Sequence, residues 1–122
     1  IAVVEDAPDD RTTAALDVLT AAGNDIYETT ASEHDEAMET VQAKTHAAVL
    51  AFALAGDEVP EPFHTPISGP LSDLSDAVTT GDPTVYAEIQ RRFDGAEAIA
   101  AAAERVASDP DSLADLFSEE AE

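Results

Sequence analysis

SEHDEAMETVQAKTHAAVLAFALA, from Ser32 to Ala55, is the stretch whose reading decides the fold. No glycine or proline interrupts it before Gly56, so one helix is expected from Glu33 to about Ala55, ~34 Å long at 1.5 Å per residue. Ser32 with Asp35 three residues on is a helix-start signal. The first half is amphipathic, with Met38, Val41 and Thr45 on one side and Glu36 and Glu39 elsewhere. The second half, Ala47–Ala55, is apolar all round, which marks a helix covered by neighbours or by a second subunit.

Upstream the character differs. Ile1–Val4 is a β-branched run suited to a buried strand, Asp6–Asp10 with Pro8 is a turn where a helix can begin, and Gly23 stops that helix. Ile26–Glu28 reads as a second short strand. Strand–helix–strand over residues 1–29 is the edge of a parallel sheet, and two strands alone do not make an independent sheet. The segment therefore expects a larger sheet to join. With Ile1 at the start and Met38 as the one methionine, a beginning inside a longer protein is expected.

Downstream, Pro60, Pro62, Pro66 and Pro70 make 57–70 an irregular connector. Ser68-Gly69-Pro70 opens a short helix through Val78, and Asp82-Pro83 starts the next, with aspartate at the cap and proline at the first helical position. That helix carries Val85, Tyr86, Ile89 and Phe93, and Asp94-Gly95 kinks it before the alanine-rich Ala96–Ala107. Asp109-Pro110 opens a last turn-rich helix with Leu113, Leu116 and Phe117, and Glu119–Glu122 frays. The fold class is thus mostly α: an all-helical domain over 32–122 behind a short strand–helix–strand remnant of a Rossmann-type sheet over 1–29.

The charge narrows the function classes. There are 5 basic and 27 acidic residues, a formal charge of −22, and Lys44 is the one lysine. A disordered acidic tail would be poor in apolar residues, whereas 44% of this chain is hydrophobic and periodic. A folded surface crowded with carboxylates repels itself in low salt and is screened at molar salt, where the Debye length is about 3 Å. A halophilic protein in a salt-filled cytoplasm is expected. Nucleic acid and anionic membrane surfaces are disfavoured as partners, since the only adjacent basic pair is Arg91–Arg92. There is no cysteine, hence no disulfide framework, and no apolar run reaches the roughly 20 residues that span a bilayer.

Three histidines are candidates for chemistry. His34 and His46 would lie about 18 Å apart along one helix, too far to share a metal ion, and no metal site is expected. His34 in the first turn and His64 in the connector read as exposed polar residues. His46 follows Gln42 at i+4, on a face where the helix passes from amphipathic to apolar. Two readings are open there. One is a core histidine bonded to a nearby carbonyl; the other is a polar pair at the mouth of a buried region, as a small polar ligand requires. A glycine-rich phosphate loop, a nucleophile elbow and a zinc-helix motif are all absent.

His34-Asp35, followed by Gln42-Ala43-Lys44-Thr45-His46, resembles the helical domain of prephenate dehydrogenases, in which a His-Asp pair opens the first long helix and Gln-x-x-x-His follows. Asp82-Pro83 with Tyr86 and Ile89 is similar to that family's Asp-Pro-x-x-Trp-x-x-Ile helix start, and residues 1–29 resemble the end of its nucleotide-binding domain. The resemblance implies a cytoplasmic NAD(P)-dependent enzyme that oxidatively decarboxylates prephenate to 4-hydroxyphenylpyruvate for tyrosine biosynthesis. It implies that NAD or NADP and the catalytic histidine belong to a domain ahead of Ile1, so this chain alone has no catalytic residue and is inactive. The helical domain would form a homodimer and close over prephenate, with His46 and Gln42 binding substrate. At Ala77 the chain departs from the pattern, because the family commonly has a substrate-binding arginine there. Arg91 or Arg92, from this chain or its partner subunit, would then take the carboxylate, or preference has moved towards arogenate. The rival from another class is a non-catalytic helical dimerisation or adaptor module.

The charge makes a first prediction. Circular dichroism should show helix strengthening as KCl rises from low to molar concentration, and equal helicity at both ends would refute the salt-adapted reading.

Overall fold

The computed structural model describes residues 1–118, so the Glu119–Glu122 tail lies outside the described residues. The chain divides into two compact units, Ile1–Met38 and the residues from Glu39 onward.

The first unit pairs β1 (Ala2–Val4) with β2 (Tyr27–Thr29) in parallel, in the register Ala2 to Tyr27 and Val4 to Thr29. Helix α1 (Asp10–Ala21) connects them. Asp9 caps α1, its carboxylate accepting from the backbone N–H of Arg11 at 3.0 Å and of Thr12 at 2.9 Å. At the other end Gly23 takes φ +90, a conformation that costs glycine nothing. Helix α2 (Ala31–Met38) packs on β1.

The start of α2 differs from the Ser32–Asp35 expectation. Thr30 is the capping residue: its hydroxyl accepts from Glu33 N at 3.2 Å, and Glu33 Oε2 accepts from Thr30 N at 3.0 Å. Glu33 also accepts from the Thr29 hydroxyl at 3.1 Å, which ties the helix to the last residue of β2. This reciprocal box wins because Glu33 accepts from both Thr30 N and the Thr29 hydroxyl at the strand end, whereas Asp35 lies two residues further along the helix.

The helical backbone is unbroken from Ala31 to Ala55, as the sequence implies, but it is not one α-helix. A π turn occupies Glu39–Lys44, and α3 (Thr45–Ala55) follows. In the second unit α3 is joined by α4 (Ser68–Thr79), α5 (Pro83–Arg92), α6 (Gly95–Ser108) and α7 (Ala114–Ser118), with 3₁₀ turns at Glu61–Phe63 and Pro110–Leu113. Helix α4 packs along α3, while α6 packs on α3 and on the π turn. Asp94-Gly95 marks a break rather than a kink: Phe93 is extended (φ −119, ψ 156), so α5 ends before α6 begins.

The buried apolar side chains among the described residues are Ala43, Ala47 and Val49, all on the central helix. The chain covers one side of α3 only, leaving Leu54 89% exposed. No described helix is long and apolar enough to cross a membrane.

The caps of the first unit are acid-sensitive. The Thr12 backbone N–H, with the Thr12 hydroxyl, holds the Asp9 carboxyl below its ordinary value. The Thr30 backbone N–H and the Thr29 hydroxyl do the same for Glu33. A carboxyl lowered on folding stabilises the fold above its unfolded value, and that contribution disappears as pH falls through the folded value. Carbon-13 titration should therefore place both midpoints below those of the same residues in denaturant, with the starts of α1 and α2 loosening only in acid. Midpoints equal in the two states would show that the caps are not formed.

Candidate functional site

The site is built where α5 meets the π turn. Asp82 caps α5, accepting from Thr84 N at 2.9 Å, and Pro83 fills the first turn. Between α4 and α5 lies Gly81, where an added Cβ would sit 3.1 Å from Tyr86 Cε2 and 3.3 Å from its hydroxyl. The bare glycine thus lets the Tyr86 ring fold back over the turn. From there the ring meets His46 edge-on, with centroids 5.1 Å apart and planes at 80°. An edge-to-face pair of this kind contributes about 0.5–1.5 kcal/mol beyond its buried area.

One turn along α5 stands Gln90, whose Nε2 donates to the Ala43 carbonyl at 3.0 Å. Nothing in the residue pattern singles Gln90 out beyond its i+4 spacing from Tyr86. Two buried atoms of the cluster, His46 Nδ1 and Gln90 Oε1, have no hydrogen-bond partner within the protein. Such atoms are costly to leave unpaired, by about 1–3 kcal/mol each.

Of the residues expected to bind a ligand, His46 is half-buried beside Tyr86, and Gln42 is half-buried within the π turn. A shared face for Gln42 and His46 presupposes α-helical geometry. Across a π turn bonds run i→i+5, so that stacking does not carry over unchanged, and the amide engaging this helix from outside is that of Gln90. His34, in the first unit, lies beside Asp35, with Nδ1 3.6 Å from Oδ1. His64 is half-buried rather than on the surface, with Nδ1 3.1 Å from Ser68 Oγ. It is drawn in by the start of α4, where the Thr65 hydroxyl accepts from Ser68 N at 3.0 Å and Ser68 Oγ accepts from Thr65 N at 2.9 Å.

An open groove of about 1300 Å³ runs between the end of α3, the connector and α4, lined by Phe52, His64, Ser72, Ser75 and Asp76 among others. Neither His46 nor Tyr86 lines it, so it is separate from the ring pair. No group of three or more histidines and carboxylates among the described residues is arranged to hold a metal ion. The turn after β1 carries Glu5, Asp6 and Asp9 and no glycine. Ala77 is exposed on α4, while Arg91 and Arg92 end α5 directly after Gln90. The Arg92 guanidinium lies 5.7 Å from the Phe93 ring centre.

No family model, curated protein or solved structure matches the chain.

The second unit depends on one close approach. A Cβ on Gly95 would fall 2.6 Å from Ala43 Cβ and 2.7 Å from Lys44 N. Gly95→Ala should therefore destabilise by about 1–3 kcal/mol, the usual range for overpacking, despite alanine's better helix propensity. Denaturant unfolding in molar KCl measures it, and unchanged stability would mean that α6 does not sit this close.

Proposed function

We propose that this chain is the substrate-holding, helical part of an NAD(P)-dependent prephenate dehydrogenase, the C-terminal partner of a dinucleotide-binding domain. One observation carries the reading. His46 and Tyr86 come from two separate pieces of the sequence resemblance, and they form one ring pair in the fold. The electrostatics agree with an anionic substrate. Gln90, bonded to the Ala43 carbonyl, is followed in the sequence by Arg91 and Arg92, as Ala43 is by Lys44. In a chain of charge −22 this is where a dicarboxylate meets the least repulsion.

In this reading the chain's own residues bind and orient. The His46 imidazole donates to a carboxylate or carbonyl of the substrate, Tyr86 fixes the ring that does so, and the nearby cations offset the substrate's charge. The hydride chemistry, in this reading, belongs to groups outside this chain. The exposed Leu54 and Leu74, at 89% and 54%, favour a homodimer through the helices. That same surface is what favours the second reading, a non-catalytic dimerisation module.

Kinetics of the complete two-domain enzyme separate the two. A hydrogen bond to a charged group contributes about 1.5–3 kcal/mol, or roughly 10- to 150-fold in kcat/KM. His46→Asn should lower kcat/KM for prephenate by that factor through KM, leave dinucleotide affinity unchanged and keep the fold. His34→Asn should do little. An unchanged kcat/KM in His46→Asn would reduce His46 to a core residue and leave the dimerisation module as the better reading.

A further inference from the structure

The helix that carries His46 changes its period just before reaching it. One extra residue in a helical turn rotates everything downstream by about 100° around the axis, and His46 is the second residue after the π turn ends. The direction of its ring is therefore set by whether Glu39–Lys44 stays in the π form. Two side chains grip carbonyls of that turn. The Thr45 hydroxyl donates to Thr40 O at 2.8 Å, and Gln90 Nε2 reaches Ala43 O at 3.0 Å from 47 residues away. Gly95 presses on the same backbone at Ala43 and Lys44.

Gln90 is a poor choice if its only task is to join two helices. Its Oε1 is buried with no protein partner, a penalty that a methionine of similar length would avoid. What the amide supplies is direction, in the form of one bond to one named carbonyl. We infer that Gln90 is a positioning residue: by holding the Ala43 carbonyl it keeps the π turn in register, and that register sets the His46 ring edge-on to Tyr86. The consequence for substrate rests on the reading of His46 given above, whereas the structural claim does not.

The first measurement needs no substrate. In proton NMR of the chain in molar KCl, the Tyr86 ring current displaces the His46 ring-proton signals, and Tyr86→Ala marks where they fall without it. Gln90→Met keeps the length and apolar bulk and removes the donor. Its helicity should be retained, while its His46 signals move most of the way to the Tyr86→Ala positions. Thr45→Val, at an exposed position, removes the other grip on the turn and should move them in the same direction by less. In the complete enzyme Gln90→Met should raise KM for prephenate about 5-fold at unchanged kcat.

His46 signals at their wild-type positions in Gln90→Met overturn the inference. If that variant does not fold, Thr45→Val decides alone, with unmoved signals overturning it and displaced signals supporting it. Failure of the functional reading looks different: the His46 signals still move in Gln90→Met, but neither it nor His46→Asn alters KM for prephenate.

Discussion

Gly95 against the backbone of Ala43 and Lys44 is the contact on which the helical unit depends. A Cβ added to Gly95 would fall 2.6–2.7 Å from atoms of Ala43 and Lys44, so there is no room for a side chain where the start of α6 meets the π turn. Ala43 is fully buried as a result, at 0% exposure. Such a contact draws little from the hydrophobic effect, because alanine and glycine bury little apolar area. It draws instead on close dispersion contacts, and these have no flexible side chain to absorb an error. The break at Phe93 follows from the same constraint. If α5 ran on helically into α6, Gln90 and Gly95 could not both address Ala43, so the extended Phe93 lets two helices approach one residue.

A π turn in that position is a local defect with a distant cause. Its hydrogen-bond geometry is less favourable than that of an α-helix, and it persists where surrounding structure over-determines it. Here the surroundings are Gly95, Gln90 and the Thr45 hydroxyl, of which two lie far along the chain. The ring pair of His46 and Tyr86 inherits that dependence. Tyr86 is fixed by its own helix start and by the bare Gly81, so the adjustable half of the pair is His46.

This division explains what the sequence discloses. Helix starts with chemistry unique to one position are legible: Asp82-Pro83 reads as a cap and is one, and Gly23 ends α1 in the left-handed conformation its lack of a side chain permits. Where two start signals overlap the sequence is ambiguous, as with Thr30–Glu33 and Ser32–Asp35, since each has a hydroxyl three residues before a carboxylate. The nearby end of β2 decides between them, and pairing partners are invisible in a local pattern. The π turn has no signature in residue type, because residues 47 apart impose it. His46 stood out for its place at the polar-to-apolar change. Gln90 did not, since a glutamine on an amphipathic helix reads as solvated until the carbonyl it serves is known.

The placement of the few cations then becomes informative in a way the many carboxylates are not. Arg105 is engaged locally, its Nε donating to Ser112 Oγ at 3.1 Å and its guanidinium 4.0 Å from Asp115. Arg91 and Arg92 sit in the last turn of α5, where they also complement the negative end of the helix dipole, a stabilisation of about 0.3–1 kcal/mol each that salt screens. In molar salt that contribution shrinks, so the dipole alone is a weak reason to keep two arginines together in a chain otherwise so acidic. Lys44 has no such reason, because it lies half-buried inside an unbroken helical backbone, far from either end. Lys44 follows Ala43, whose carbonyl accepts from Gln90, and Arg91 and Arg92 follow Gln90 in the sequence.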